Sequence, residues 1–276
     1  MRTRPIPRTG EPLPVLGLGT WKTFDVDPEG PDAAALLEVL RRFHAAGGRL
    51  VDSSPMYGRA EEVVGALRAR LPPEARGLFL ATKVWTEGAE AGRAQMERSF
   101  ARMGAGPRMD LLQVHNLLDW RAHLPTLRAW KAEGRVRYLG VTHYQLSAFD
   151  ELERLVRTEA LDFLQLPYSL EVREAEARLL PAAADTGTAV LVMKPFGGGR
   201  LLQRLAGRPL PEWVREELGC RSWAQALLKF LLGHPAVTCP LPATRSPAHL
   251  EDNLAAAEGP LPDAAQRARL VRDAGL

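Results

Sequence analysis

Cysteine is nearly absent from this chain: two occur in 276 residues, Cys220 and Cys239, and neither has a CxxC partner or a His/Cys cluster around it. That excludes a disulfide framework and gives no zinc-ligand spacing, so no metal is expected. Long apolar runs are also lacking. A membrane helix needs about 18 consecutive apolar residues; the longest candidate here, ALLKFLLG, reads as a buried helix. The start, MRTRPIPRTGEP, is polar and broken by proline, without the apolar core of a signal peptide. The expectation is a cytoplasmic protein with no membrane partner. Basic runs are missing as well. Lys and Arg number 36 against 33 Asp and Glu, a formal charge of +3, and the arginines are scattered rather than interleaved with aromatics. That pattern excludes a nucleic-acid partner, whereas a mild positive balance suits an anionic small molecule such as a phosphorylated cofactor. Neither an internal repeat nor a low-complexity segment stands out.

What remains is an ordinary globular composition, 46% hydrophobic and 25% charged. The length is comfortable for one α/β barrel, and one domain over residues 1–276 is expected. Short Val/Leu/Phe-rich runs read as buried parallel strands: Val15–Gly19, Arg49–Asp52, Leu78–Val84, Asp110–Asn116, Arg137–Tyr144, Asp162–Tyr168, Ala189–Pro195 and Val237–Ala243. Amphipathic stretches lie between them. In DAAALLEVLRRFHAAGG, Leu36, Leu37, Val39, Leu40 and Phe43 form a stripe that Gly47 ends. SAFDELERLVRTEA reads as a helix capped by Ser147, and SPAHLEDNLAAAEG as one opened by the Ser246-Pro247 pair. Eight strands alternating with about eight helices predict an α/β fold, a (β/α)8 TIM barrel. A doubly wound open sheet is the alternative, disfavoured because no GxGxxG follows the first strand. PIPRTGEPLPV predicts a short N-terminal β-hairpin with a Thr-Gly turn, placed to plug the barrel floor. FGGGRLLQRLAGRPLPEWVREELG reads as a long irregular stretch, a length often functional.

Parallel barrels carry chemistry where their strands end. The polar residues at those ends are Asp52 with Tyr57 in its loop, Lys83, His115, Thr142, His143, Gln165 and Lys194. A tyrosine near its ordinary pKa of about 10 is a poor acid at neutral pH. A neighbouring ammonium would lower that pKa, and Asp52 would compensate the ammonium's charge. A neutral histidine would orient a carbonyl. Together they fit proton donation to a carbonyl oxygen as hydride reaches its carbon. Blander readings stand beside this one. Asp52 as a helix cap, Tyr57 as a packing residue, His115 as a core histidine and Lys83 as a Schiff-base nucleophile all remain open at this level. GGGR matches no P-loop; Trp85 and Trp120 also suit a core, and Arg245 a solvated helix start. His44, His123 and His234 read as helix-surface or loop residues.

The stretches GLGTW (Gly17–Trp21), VDSSPMYG (Val51–Gly58), ATKVW (Ala81–Trp85), LLQVHN (Leu111–Asn116), YLGVTHY (Tyr138–Tyr144), DFLQLPYS (Asp162–Ser169), MKPFGGG (Met193–Gly199) and PATRSPAHLEDNLAA (Pro242–Ala256) occur in one order along most of the chain. In that order the sequence resembles the aldo-keto reductase family. The resemblance implies a catalytic tetrad of Asp52, Tyr57, Lys83 and His115, with Tyr57 as general acid. It implies a cofactor groove with Thr20, Trp21 and Asp52 at the nicotinamide end and Thr142, His143 and Gln165 at its carboxamide. Lys194, Phe196 and Gly197 would follow ribose and pyrophosphate; Thr244, Arg245, His249 and Asn253 would surround the adenosine 2′-phosphate. Thr142-His143 replaces the family's usual Ser-Asn, and Met193 its nicotinamide-stacking aromatic. Ala243 and His249 replace two cations of the phosphate clamp, while Arg245 supplies a displaced one. The implied cofactor is NADP(H), with NAD(H) also accommodated. The short tail after Pro260 implies an open pocket for a small carbonyl substrate, walled by Trp21, Trp85, Asn116 and Trp120, in a monomeric enzyme. Some family relatives are non-enzymatic, cofactor-sensing regulatory subunits, which is the alternative the resemblance carries.

Overall fold

The computed structural model describes residues 1–275. Strands β1 (Thr3–Pro5) and β2 (Pro12–Pro14) pair antiparallel around the Thr9-Gly10 turn, where Gly10 takes φ +72°. Eight further strands among the described residues form one parallel sheet in chain order: β3 (Leu18–Gly19), β4 (Leu50–Asp52), β5 (Phe79–Val84), β6 (Met109–His115), β7 (Val136–Thr142), β8 (Phe163–Pro167), β9 (Ala189–Met193) and β10 (Cys239–Pro240). A parallel bridge between Gly19 and Ala243 brings the last strand beside the first, and Gly17 N and Gly19 N donate to Pro240 O and Pro242 O. The sheet thus curls into the (β/α)8 barrel read from the sequence, not an open doubly wound sheet.

Strand alternation sorts the core into two shells. Inside the barrel, Leu50, Phe79, Ala81, Leu111, Tyr138, Phe163, Leu191 and Leu241 pack with Ile6 and Leu13 of the hairpin. The hairpin therefore closes the floor, and the mouth is left for chemistry. The opposite strand faces meet the helices. In α1 (Pro31–Ala45) the stripe Leu36, Leu37, Val39, Leu40 and Phe43 is buried, each side chain contributing about 1.5–3 kcal/mol. Gly47 then takes φ +89° beyond the helix end. The other helices are α2 (Ala60–Ala69), α3 (Ala89–Met103), α4 (Trp120–Ala132), α5 (Phe149–Thr158), α6 (Leu179–Asp185), α7 (Arg200–Leu205), α8 (Glu212–Glu216), α9 (Trp223–Leu232), α10 (Pro247–Ala255) and α11 (Ala264–Ala274).

Several sequence expectations need correction. The strand expected over Val237–Ala243 shrinks to Cys239–Pro240, because Pro240 and Pro242 have no N–H to give the ladder. Ser147 does not cap α5; a 3-10 turn over Leu146–Ala148 precedes it, and Ala148 holds the cap position without a side-chain bond. Ser246 does cap α10, accepting from His249 N. The stretch after β9 is not irregular throughout, since α7 and α8 lie within it. His123 is not a surface residue: it is fully buried on α4, with Nε2 on the Thr86 carbonyl at 2.7 Å. A groove of about 830 Å³ lies on the floor, away from the strand ends. There Arg137 pairs with both Glu11 and Asp110.

Candidate active site

β4 and β5 are neighbours in parallel, with Asp52 paired to Ala81. Lys83 is the next inward-facing position on β5, so its amine reaches the end of β4. Its Nζ donates to Asp52 Oδ1 (2.9 Å), Asp52 Oδ2 (2.8 Å) and the Ser53 carbonyl (2.6 Å). Every ammonium proton is committed. The Lys83 side chain is 1% exposed. Burial works against its charge, but Asp52 and then Tyr57 outweigh burial and raise the lysine above its ordinary value. Glu61 on α2, buried and bound by Thr82 Oγ1 (2.6 Å), adds a weaker contribution of the same sign.

Tyr57 stands over this pair. Lys83 Nζ lies 5.2 Å from its ring centroid, and the His115 ring meets it edge-on at 5.8 Å and 88°. The loop that carries Tyr57 is pinned by Arg59 N donating to Asp25 Oδ1 (2.9 Å). Gly58 takes φ +60°, and a Cβ there would sit 2.2 Å from Asp25 Oδ1, so only glycine fits. Lys83 lowers the Tyr57 pKa as expected, but in the free protein it does not carry the phenol below its ordinary value. Burial raises it, Lys83 lowers it and Asp52 raises it again, and the net direction is up. Asp52 offsets the field that Lys83 would exert alone.

His115 ends β6 and is buried. Burial, then Lys83 and His143, hold its pKa down at about 2, so the imidazole is neutral. Its Nδ1 lies 2.8 Å from Ser54 Oγ. The unfolded histidine, at its ordinary 6.5, takes a proton that the folded one refuses until about pH 2. Stability is therefore full above pH 6.5 and is lost as pH falls through that window, at about 1.4 kcal/mol per unit. Urea unfolding of His115→Asn at pH 6 and pH 4 should show a slope one proton shallower than the native chain; equal slopes would mean that His115 charges in the fold.

Thr142 and Gln165 are register partners on β7 and β8. Gln165 Nε2 donates to Asp52 Oδ2 at 3.2 Å, which fixes its amide orientation and leaves Oε1 over. That oxygen, Thr142 Oγ1 and Asn116 Oδ1 are buried with no partner among the described residues. Thr20 is buried and spends its hydroxyl on Asp52 O (2.9 Å). His143 is half-buried, accepts from Gln145 N at 3.1 Å and stacks on Tyr144 at 7°. Lys194, at φ +53°, points its amine between Tyr144 (4.7 Å) and Trp21 (5.8 Å), and burial, Arg200 and Lys22 lower its pKa. Phe196 is buried and Gly197 takes φ +59° at the turn behind it. Trp21 and Trp85 are each 41% exposed, so Trp85 is not a core residue. The backbone of Trp85 is held by Gln95 through two hydrogen bonds, 2.6 and 3.0 Å. Trp120 is half-buried, with the guanidinium groups of Arg121 and Arg154 at 4.3 and 5.3 Å from its ring centroid.

Arg245 is exposed, with Nη2 on Lys22 O at 3.2 Å and Asp32 4.0 Å away. Thr244 and Asn253 are buried beside it at the start of α10 and within it, while His249 is exposed. Sequence reasoning missed Ser54, Gln95, Tyr144 and the Asp25 anchor. Of these only Ser54 left a trace, a polar pair after Asp52 in an otherwise apolar strand end.

The fold is a closed parallel barrel, and at its mouth Asp52, Lys83 and His115 are buried beneath a half-buried Tyr57. The family model described as "Aldo/keto reductase family" matches residues 15–268, and the chain belongs to that family. An aldo-keto reductase of Mycobacterium sp. (strain JLS) is 29% identical over 254 residues, 88% of this chain and 83% of that one. An NADH-specific methylglyoxal reductase of Escherichia coli (strain K12) is 26% identical over 253 residues, 78% of this chain and 73% of its own. Among solved structures, an aldo/keto reductase from Klebsiella pneumoniae, in complex with NADP and acetate, is 25% identical with a TM-score of 0.78, covering 99% of this chain and 95% of that one.

Proposed function

We propose that this protein reduces a small aldehyde or ketone to the alcohol, with NADP(H) as hydride source and Tyr57 as general acid. The observation that carries the reading is the fully committed Lys83–Asp52 pair beneath Tyr57, with a neutral His115 edge-on to the same ring. The Klebsiella relative's complex with NADP supports the cofactor. So do the three orphaned oxygens, Thr142 Oγ1, Gln165 Oε1 and Asn116 Oδ1, a set that suits an amide group carrying both donors and an acceptor. Thr142, Gln165 and His143 would hold the carboxamide, Lys194 the pyrophosphate, and Arg245 with Thr244 and Asn253 the 2′-phosphate. Bound there, the nicotinamide supplies hydride. The chain supplies the rest: Lys83 and Asp52 fix the field at the phenol, Tyr57 O–H gives its proton to the carbonyl oxygen, and His115 orients that oxygen. Trp21 and Trp85 give the substrate an apolar wall.

Lys83 argues against a Schiff-base mechanism, which needs a free neutral amine; here all three protons are bonded and the pKa is raised. Titrating NADPH and NADH against the fluorescence of the six tryptophans, followed by turnover on a panel of carbonyls, tests the reading. NADPH is expected to bind more tightly. Arg245→Ala should weaken NADPH by roughly 10- to 100-fold, the worth of a hydrogen bond to a charged group, and leave NADH unchanged. Equal losses for both would remove Arg245 from the 2′-phosphate. Binding of both with no turnover would favour the regulatory-subunit alternative, and binding of neither would end the reductase reading.

A further inference from the structure

Ser54 lies in the loop after β4 and is fully buried. Three bonds converge on it. Its carbonyl accepts from Tyr57 N at 3.0 Å, its Oγ lies at 3.4 Å from Met56 N, and the same Oγ is 2.8 Å from His115 Nδ1. A backbone N–H can only donate, so Oγ accepts from Met56. A serine hydroxyl has a single proton. The only remaining polar partner for it among the described residues is His115 Nδ1. The opposite arrangement, with Nδ1–H donating to Oγ, would leave that hydroxyl proton buried without an acceptor, at about 1–3 kcal/mol.

We propose that Ser54 is a positioning residue that holds His115 as its Nε2–H tautomer, so that the imidazole offers the substrate carbonyl a donor and not a lone pair. The kinetic consequence rests on the reductase reading; the tautomer does not. A neutral imidazole protonated on Nδ1 would present Nε2 as an acceptor, which repels a carbonyl oxygen. Burial, Lys83 from β5 and His143 from the end of β7 disfavour a doubly protonated imidazole, and Tyr57 from the loop meets the ring edge-on, but none of them chooses between its two nitrogens. Ser54 chooses. Its carbonyl also takes the Tyr57 amide, so one residue registers the donor histidine against the acid tyrosine.

The test is a long-range 1H–15N correlation on protein labelled in its six histidines, with His115→Asn used to assign the resonance. The native protein should show a protonated Nε2 and a bare Nδ1 at His115. Ser54→Ala should show a mixture, and Ser54→Thr, which keeps the hydroxyl, should return toward the native pattern. A protonated Nδ1 in the native protein, or an unchanged spectrum in Ser54→Ala, overturns the proposal. In turnover, Ser54→Ala should lower kcat by about 10- to 100-fold, as loss of an orienting partner of a functional histidine does, with NADPH affinity unchanged. Full kcat in Ser54→Ala with an active native enzyme would also overturn it. A native enzyme with the expected tautomer but without turnover would sink the reductase reading and leave the Ser54 assignment standing.

Discussion

Replacing Tyr57 with phenylalanine should reduce kcat/KM for carbonyl reduction by about 10² to 10⁴, the usual worth of a positioned general acid, while NADPH affinity and stability stay close to native. The substitution deletes one hydroxyl. The ring that remains keeps its edge-on contact with His115 at 5.8 Å and its place 5.2 Å from Lys83 Nζ. The loop keeps its anchor, because Asp25 holds the backbone amide of Arg59 and not the tyrosine side chain. The pH profile of the native enzyme sharpens the test. His115 is neutral down to about pH 2, so no acid limb near pH 6.5 should come from it. The Tyr57 phenol sits above its ordinary 10.0, raised by burial, lowered by Lys83 and raised by Asp52. Its proton is therefore in place throughout the neutral range, and the basic limb of kcat/KM should fall above pH 10. A limb between pH 7 and 9, or an active Tyr57→Phe enzyme, would assign the proton to another group.

The cluster was legible in the sequence because a parallel barrel brings strand ends together whatever lies between them. Asp52 and His115 end their strands and Lys83 is the last inward-facing residue of its own, so the alternation of inward and outward residues turns all three toward the mouth. Hydrogen-bond detail did not show in the same way. The Tyr57 pKa was misjudged because a carboxylate that stabilises the lysine also repels a phenolate, and burial penalises that phenolate further. Trp120 reads like Trp85 along the chain, yet Arg154, from the next helix, covers it. His123 belongs to a buried stripe with Leu124, Leu127 and Trp130 on α4, where a polar ring is tolerated because the Thr86 carbonyl accepts from it. The loop after β6 is also opaque to propensity. Asn116, Leu117 and Asp119 all take positive φ, costly for leucine above all. The turn is held from outside, by Gly88 N donating to Asp119 Oδ2 at 2.8 Å.

The second large effect is expected at the ion pair. Asp52→Asn should destabilise the protein by roughly 3–5 kcal/mol, since it strands an ammonium where water does not reach. The native Lys83 is raised above its ordinary 10.5 because Asp52 overcomes burial. Its contribution is thus fully present below pH 10.5 and is lost only as pH rises through the folded value. Without the carboxylate, burial prevails and the folded pKa falls below 10.5. The unfolded chain then binds the extra proton, and stability rises with pH. The pH dependence between 7 and 10 therefore separates the two proteins: Lys83 adds no slope in the native chain and an upward one in Asp52→Asn, over the background both share from the buried thiols of Cys220 and Cys239, whose pKa values burial raises. Urea midpoints at pH 7 and pH 9.5 measure the difference, and a variant that parallels the native chain would mean that Lys83 has found another anion. The double variant Asp52→Asn, Lys83→Met carries no buried charge at this position and should recover most of the lost stability, as neutral replacements of buried pairs often do. It should not recover turnover. A pair kept only for the fold would be dispensable once neutralised; a pair kept to set the field at Tyr57 would leave a stable protein that no longer reduces carbonyls.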